Sequence, residues 1–468
     1  MKKSLLLFLL LTGNFFLFGQ NFALKVKLHP NEKLKSKSYS INSEEKLSKV
    51  NQKFKSNGLV ACYPNAKNPE LAKYYTIKGK GKKNEVAQEL MALGMFETVV
   101  EEDTFQIALC TNPEPPVNDT WIEQGWANNY AMELIEASCA WSISKGSSNI
   151  HVGIADTEFE DTHDDLENQI TNLDGQSSAN HPHGTYVSGL AAPETNNNIG
   201  ISGIGYNSKI AAHRIPHSSG GSAASSSIRD AIWNLYQDGR PIISVSWTGT
   251  GLDVAAAEEI TENGTVLVLA AGNTPTSTNH SAIANIPGVI IVTSVNADNE
   301  HGPSGHAHNQ WVDICSPGVN VTTTYTSNTY GGCWGTSCAT PIVSGTIALM
   351  LEVNPCLTPE EIELLIEESA DPVTDAADFE GLLGSGRLNA YRAVMAAGTR
   401  DYNNTTLSGN QNLNAGYGFN LNNVSVGNSS NINLDARKEV NINGTFEVPL
   451  GSIFSIDMGS SIQTNCQY

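Results

Sequence analysis

Positive charge is scarce in this chain: 27 Lys and Arg stand against 48 Asp and Glu, for a net charge of −21. A surface that acidic repels phosphate backbones and argues against a nucleic-acid binder. The eight cysteines, Cys62, Cys110, Cys139, Cys315, Cys333, Cys338, Cys356 and Cys466, include no Cys-x-x-Cys pair, which argues against a zinc site. Long apolar runs are missing as well. Beyond Phe18 no segment holds about eighteen consecutive apolar residues, so no stable membrane anchor is expected.

What is present begins with a targeting pattern. Lys2-Lys3, an apolar stretch from Ser4 to Phe18 and Gly19-Gln20 read as a signal peptide over 1–19, so the product is expected outside the cytoplasm, extracellular or periplasmic. Charge then changes sign along the chain. Residues 20–112 carry 15 Lys and 10 Asp/Glu, whereas 113–468 carry 10 Lys/Arg and 38 Asp/Glu. The switch coincides with Pro113, Pro115 and Pro116, a stiff linker and a natural boundary. Residues 20–115 read as a detachable α+β unit. Its strands are Tyr74–Ile77 and Thr104–Leu109, and its helix runs from Asn84 to Leu93 with Val86, Leu90 and Leu93 on one face. Export permits disulfides, and Cys315 with Cys333, which flank one loop, is the expected pair.

From 118 to 398 strands alternate with helical patterns. Ile150–Ala155, Ile242–Trp247, Val266–Ala270 and Val289–Val292 are apolar without period-two alternation, as strands of a parallel sheet covered on both faces would be. Ile228–Tyr236 and Val254–Glu262 fit crossover helices, so an α/β layered domain is expected. Residues 400–468 turn rich in Asn, Gly, Ser and Thr. Short alternating pieces there (Asn431–Leu434, Val440–Ile442, Ile453–Ile456) indicate a small β module without recognisable chemistry.

Four segments converge on one chemistry. Ser337 follows the Gly-rich run Tyr330–Trp334, read as a tight turn, and precedes an apolar helix from Ile342 to Val353, with Pro341 tolerated in the first helical turn. Such a serine presents its hydroxyl at a helix N-terminus, where unpaired N–H groups favour negative charge. Asp156 ends a buried strand, at the carboxyl edge where open α/β sheets carry their sites. His183 opens a helix, and Asn273 follows a strand through Ala271-Gly272. Taken singly, each is an ordinary cap or turn residue. Together they supply a nucleophile, the base that takes its proton, the acid that holds that base, and a donor for the oxyanion.

The motifs Val152–Thr157, His183-Gly184-Thr185, Ser246–Gly249, Ala270–Asn273, Ser316-Pro317-Gly318, Gly335-Thr336-Ser337 and Gly384–Ala390 resemble those of the subtilisin-family serine endopeptidases, the subtilases. The resemblance implies a three-layer α/β domain with a mostly parallel sheet. It implies a triad of Asp156, His183 and Ser337, with Asn273 as oxyanion donor, acting on protein or peptide substrates. Residues 20–115 then take the place of an inhibitory, chaperone-like propeptide, a partner of the mature domain. Ser246, Trp247, Thr248, Gly249 and Gly272 would line the substrate cleft, and Gly220, in Ser218–Ser222, would lie on its edge, where an extended peptide could pair. The loop Thr195–Ile201 resembles the family's calcium loop, with Asp165, Asn197 and the backbones of Thr195, Ile199 and Ile201 as oxygen ligands for structural Ca2+.

Departures from the family pattern bear on selectivity. Glu158 stands where Gly is usual, beside the triad, and either raises the pKa of His183 or points outward. Tyr186 replaces a second His, Trp247-Thr248 replaces Leu-Gly, Ala282-Ile283 replaces Tyr-Pro, and Cys338 replaces Met. The leading expectation is a secreted endopeptidase made as a zymogen and cleaved near Cys110 to Asn118. The alternative is a catalytically weak subtilase scaffold that binds a surface or matrix through its C-terminal module.

Overall fold

An amphipathic helix lies against an antiparallel sheet in the N-terminal part of the chain. This computed structural model describes secondary-structure elements within residues 21–101, residues 117–119, and residues 130–458 except 177–180, 279 and 302–305. The leader, the strand expected over Thr104–Leu109 and the proline linker lie outside the described residues. Contacts divide the chain into two units, 1–106 and 107–468.

In the first unit, β1 (Asn21–Leu28), β2 (Ser40–Ile41), β3 (Leu59–Ala61), β4 (Tyr74–Lys80) and β5 (Phe96–Glu101) form a sheet in the order β2-β3-β4-β1-β5. Helix α1 (Lys83–Ala92) buries Val86 and Leu90, four residues apart and so on one face, together with Ile77, Met95 and Phe96. Leu93, expected on that face, instead lies in the turn beyond the helix, half-buried.

The second unit opens with α2 (Tyr130–Leu134) and α3 (Ala137–Ile143) and continues through β6 (His151–Asp156), β7 (Ile170–Gly175), α4 (His183–Ala191), β8 (Lys209–Arg214), α5 (Ser225–Gln237), β9 (Ile242–Val245), α6 (Val254–Glu262), β10 (Val266–Ala270), β11 (Val289–Val295) and β12 (Ile314–Pro317). These seven strands form one sheet, β12-β11-β10-β9-β6-β8-β7, and every pairing in it is parallel. Their uninterrupted apolar character has a simple cause. Val152, Ile154, Val266 and Val268 face a core shared with α3, α4 and the long helix α7 described below, while Ala155, Leu267 and Leu269 face a second core shared with α5 and α6. Alternate residues are buried on opposite faces, so neither face is polar. The result is the three-layer α/β architecture that the sequence implied.

After β12 the chain makes a hairpin, β13 (Val319–Tyr325) with β14 (Thr329–Trp334), followed by α7 (Thr336–Val353), α8 (Pro359–Glu368) and α9 (Ala390–Gly398). Tyr330–Trp334, read from sequence as a Gly-rich turn, is therefore a paired strand. Helix α7 starts at Thr336, which places Pro341 in its second turn rather than in the first. The expected Cys315–Cys333 bond does not exist. Cys315 is buried in β12 as a free thiol beside the Leu383 carbonyl, and Cys333 is bonded to Cys338 with 6.0 Å between Cα atoms. Cys139 and Cys356 are also disulfide-bonded.

The C-terminal strands are β15 (Thr399–Asn403), β16 (Thr406–Leu407), β17 (Asn410–Ala415), β18 (Gly418–Val426), β19 (Asn431–Ala436), β20 (Glu439–Glu447) and β21 (Ile453–Met458). Here the expected β module takes a form that alternation alone did not specify. β15 and β16 both run along β18, and from β16 on successive strands fall alternately into two parallel sheets, as in a coil with one strand of each sheet per turn. Thr399 pairs with Gly418 and Gly418 with Glu439, while Asn410 pairs with Asn431 and Asn431 with Ile453. Inward residues Phe419, Leu421, Ile432 and Leu434 make a core of their own. Outward amides stack along the coil, with Asn443 donating to Asn422 and Asn422 to Asn403.

Candidate active site

Two strand ends and two helix starts carry the candidate residues. Asp156 is the last residue of β6 and is fully buried. Its Oδ1 accepts from Thr157 N at 2.7 Å, and His183 Nδ1 lies 2.9 and 3.0 Å from its two oxygens. His183 is the first residue of α4, and Gly184 N donates to Thr157 Oγ1 at 3.0 Å, tying that helix to the strand that carries Asp156. Nδ1 thus carries the proton, which leaves Nε2 as the basic nitrogen. Burial works against a charged imidazole, but the Asp156 carboxylate, by charge and by hydrogen bond, more than offsets it and raises the His183 pKa above its ordinary value. Glu158 points away from this pair. Its carboxylate engages Arg214, and its backbone N–H donates to the His181 carbonyl at 3.1 Å.

Ser337 is the second residue of α7, behind Gly335, whose φ of 125° and ψ of 171° suit only glycine. Its side chain does not cap the helix, and neither does Gly335; the first N–H of α7, at Thr336, is taken by a side chain from another segment. Ser337 Oγ donates to the Ser246 carbonyl at 3.1 Å, and Ser246 Oγ donates back to the Ser337 carbonyl at 2.9 Å. Pro341 explains the second bond. Its missing N–H leaves Ser337 O without the usual intrahelical donor, and Ser246 takes that place. Asn273, exposed beyond β10, turns its Oδ1 toward α7, where it accepts from Thr336 N at 3.0 Å and Thr336 Oγ1 at 3.2 Å. The amide Nδ2 is the end left to donate elsewhere.

A cleft of about 540 Å³ is lined by Trp247, Thr248, Gly249, Leu252, His280 and Ile283, with Gly221 and Ser222 also contributing. Trp247 Nε1 donates to Ala155 O at 3.1 Å, which anchors the ring. Of the other expected substrate contacts, Ser246 holds Ser337, and Gly272 N donates to Thr336 Oγ1 at 3.0 Å. Gly220 sits exposed in a turn closed by Ser218 N to Ser222 O at 2.8 Å and does not line the cleft. His181, which sequence reasoning passed over, lies beside the site: its ring is 6.3 Å from that of His183 and packs under Gly221.

The loop 195–201 is stitched by two buried carboxylates. Asp165 accepts from Asn197 Nδ2 and from Ile201 N, both at 2.9 Å, and Asn197 Oδ1 accepts from Ile199 N at 2.9 Å. Thr195 Oγ1 accepts from Gly203 N at 3.2 Å. Asp119, absent from the sequence-based set, accepts from Asn196 N at 3.0 Å, Asn197 N at 2.9 Å and Ser202 Oγ at 2.5 Å. Burial pushes the Asp165 carboxyl up to about 6 against the pull of its hydrogen bonds, and the Asp119 charge adds to the rise. Two buried acids served by neutral donors on one loop form an oxygen-rich, anionic set that suits a hard cation. Nothing local to Asp119 signals this; it lies 46 residues before Asp165.

The profile of the subtilase family matches residues 147–419. A thermophilic serine proteinase of Bacillus sp. (strain AK1) is 33% identical over 287 residues, spanning 59% of this chain and 69% of that protein. Thermitase of Thermoactinomyces vulgaris is 32% identical over 279 residues, 57% of this chain and 96% of that one. Among solved structures, a protease of Pseudoalteromonas arctica PAMC 21717 aligns with a TM-score of 0.51 and 25% identity, covering 60% of this chain and all of that one.

Proposed function

The chain belongs to the subtilase family and is a serine-type endopeptidase, and on that premise we propose that Ser337, His183 and Asp156 carry the reaction through an acyl-enzyme. The observation that carries this reading is the Asp156–His183 hydrogen bond, which leaves His183 Nε2 as the base. Ser337 Oγ leaves the Ser246 carbonyl by rotation about χ1 and gives its proton to His183 Nε2 as it attacks the scissile carbonyl. Asp156 stabilises the resulting imidazolium. Asn273 Nδ2 and the Ser337 N–H donate to the tetrahedral oxyanion. His183 then protonates the leaving amine, and water repeats the sequence to free the acid. Trp247, Thr248 and Gly249 receive the acyl-side residue of a protein or peptide substrate.

Residues 20–115 act as an inhibitory propeptide, which the separate first unit and its opposite charge balance support. The Lys2–Gln20 pattern supports secretion. Asp119, Asp165 and Asn197 would hold Ca2+ with loop oxygens of Thr195, Ile199 and Ile201, where a cation would neutralise the buried carboxylates. Comparison of wild type with Ser337→Ala tests the central claim. Casein hydrolysis and phenylmethylsulfonyl fluoride labelling are expected in wild type alone; equal behaviour of the two proteins would sink it.

A further inference from the structure

Within the turn that carries Ser337, Cys338 N donates to Gly335 O at 3.0 Å, and its other bonds reach out to neighbouring segments, Gly335 N to Gly318 O at 2.8 Å among them. Gly335 provides no side-chain cap, Pro341 cannot donate to Ser337 O, and Gly331-Gly332 soften the strand that leads in. Yet the site needs this turn fixed, since Thr336 orients Asn273 and Ser337 O holds Ser246. One covalent link spans it. Cys333, one residue from the end of β14, and Cys338, the third residue of α7, enclose Trp334-Gly335-Thr336-Ser337 between them. Both sulfur-bearing side chains are packed in the main core, 6% and 1% exposed, so this ring is anchored at each end.

We propose that the Cys333–Cys338 disulfide is a positioning element for the reaction, locking covalently the Thr336 and Ser337 geometry that Asn273 and Ser246 otherwise hold through hydrogen bonds alone. This rests on the assignment of Ser337 as nucleophile. The cleft is lined from other elements, α5, the segment before it and the segments after β9 and β10, so the bond governs turnover rather than substrate affinity. Misplacement of a reacting group by about 1 Å commonly costs on the order of 100-fold in rate. Opening the bond by a dithiol moves two electrons and two protons to the cysteine sulfurs, giving two thiols, while the dithiol closes to its own disulfide.

The test compares wild type with the Cys333→Ala/Cys338→Ala double variant, each rate normalised to Ser337 titrated by a fluorophosphonate. The double variant is expected to lose roughly 10- to 100-fold in kcat with KM within about twofold. Dithiothreitol under mild denaturation, then removed, brings wild type to the variant's kcat, and reoxidation restores it. The double variant does not respond, which separates this bond from the disulfides of Cys139 and Cys356. Should the double variant not fold, the Cys333→Ser/Cys338→Ser pair takes its place in the same comparison. Wild-type kcat in the double variant, or no loss in fully reduced wild type, would overturn the proposal. Full activity in Ser337→Ala would instead overturn the nucleophile assignment.

Discussion

Gly335→Ala is the most exacting perturbation the site offers. A Cβ on Gly335 would stand 2.9 Å from Asn273 Nδ2, 3.0 Å from Oδ1 and 3.2 Å from Cγ, where unstrained contacts need about 3.5 Å. The Asn273 amide must therefore move by roughly half an ångström or the turn must open. Either response weakens the Thr336 N to Asn273 Oδ1 bond and shifts an oxyanion donor relative to Ser337. A φ of 125° adds about 1–3 kcal/mol of backbone strain for a residue with a side chain. Gly239→Ala separates the two effects: its φ is 70°, but no atom lies within 4 Å of the new Cβ. That control should lose about 1–2 kcal/mol of stability and no activity. Gly335→Ala should lose stability too, and in addition roughly 10- to 100-fold in kcat. Steady-state hydrolysis of a chromogenic peptide and thermal unfolding, run on both variants, provide the readout. A folded Gly335→Ala enzyme with wild-type kcat would refute the reasoning that the Asn273–Thr336 geometry is what catalysis depends on.

The same geometry makes three further predictions. His183 must be neutral to accept the Ser337 proton and its pKa is raised, so the acid limb of kcat/KM should fall above the ordinary histidine value of about 6.5; Asp156→Asn should move it to lower pH and reduce kcat, and an unmoved limb in pH–rate profiles would contradict the assignment. Calcium at about 100 times its Kd should add about 2.7 kcal/mol of stability, seen as a higher Tm that a chelator reverses, and Asp119→Asn or Asp165→Asn should abolish the response. Phe419 is fully buried in the separate core of the C-terminal coil, so Phe419→Ala should cost that coil about 3–5 kcal/mol and expose it to limited proteolysis while leaving kcat intact.

The candidate site positions were legible in the sequence, because each sits where a local pattern changes. Asp156 and Asn273 follow apolar runs, His183 opens a helix, and Ser337 stands between glycines and an apolar stretch, all signals carried by a few adjacent residues. The three-layer architecture was legible for the same reason, since strands buried on both faces cannot hide their composition. What tertiary structure alone decided depends on residues distant in the chain. Tyr330–Trp334 is a strand because β13 lies beside it, and that pairing puts Cys333, not Cys315, within bonding distance of Cys338. Glu158 is drawn from the imidazole by Arg214, 56 residues on. Asp119 meets Asp165 only because the chain returns to the loop 195–202. In the C-terminal coil, alternation revealed strands, but partners offset by 19 residues at Thr399↔Gly418 and 22 at Asn431↔Ile453 keep no single period. Their parallel stacking follows from burying Phe419, Leu421, Ile432 and Leu434 together, a choice that no short stretch of sequence can express.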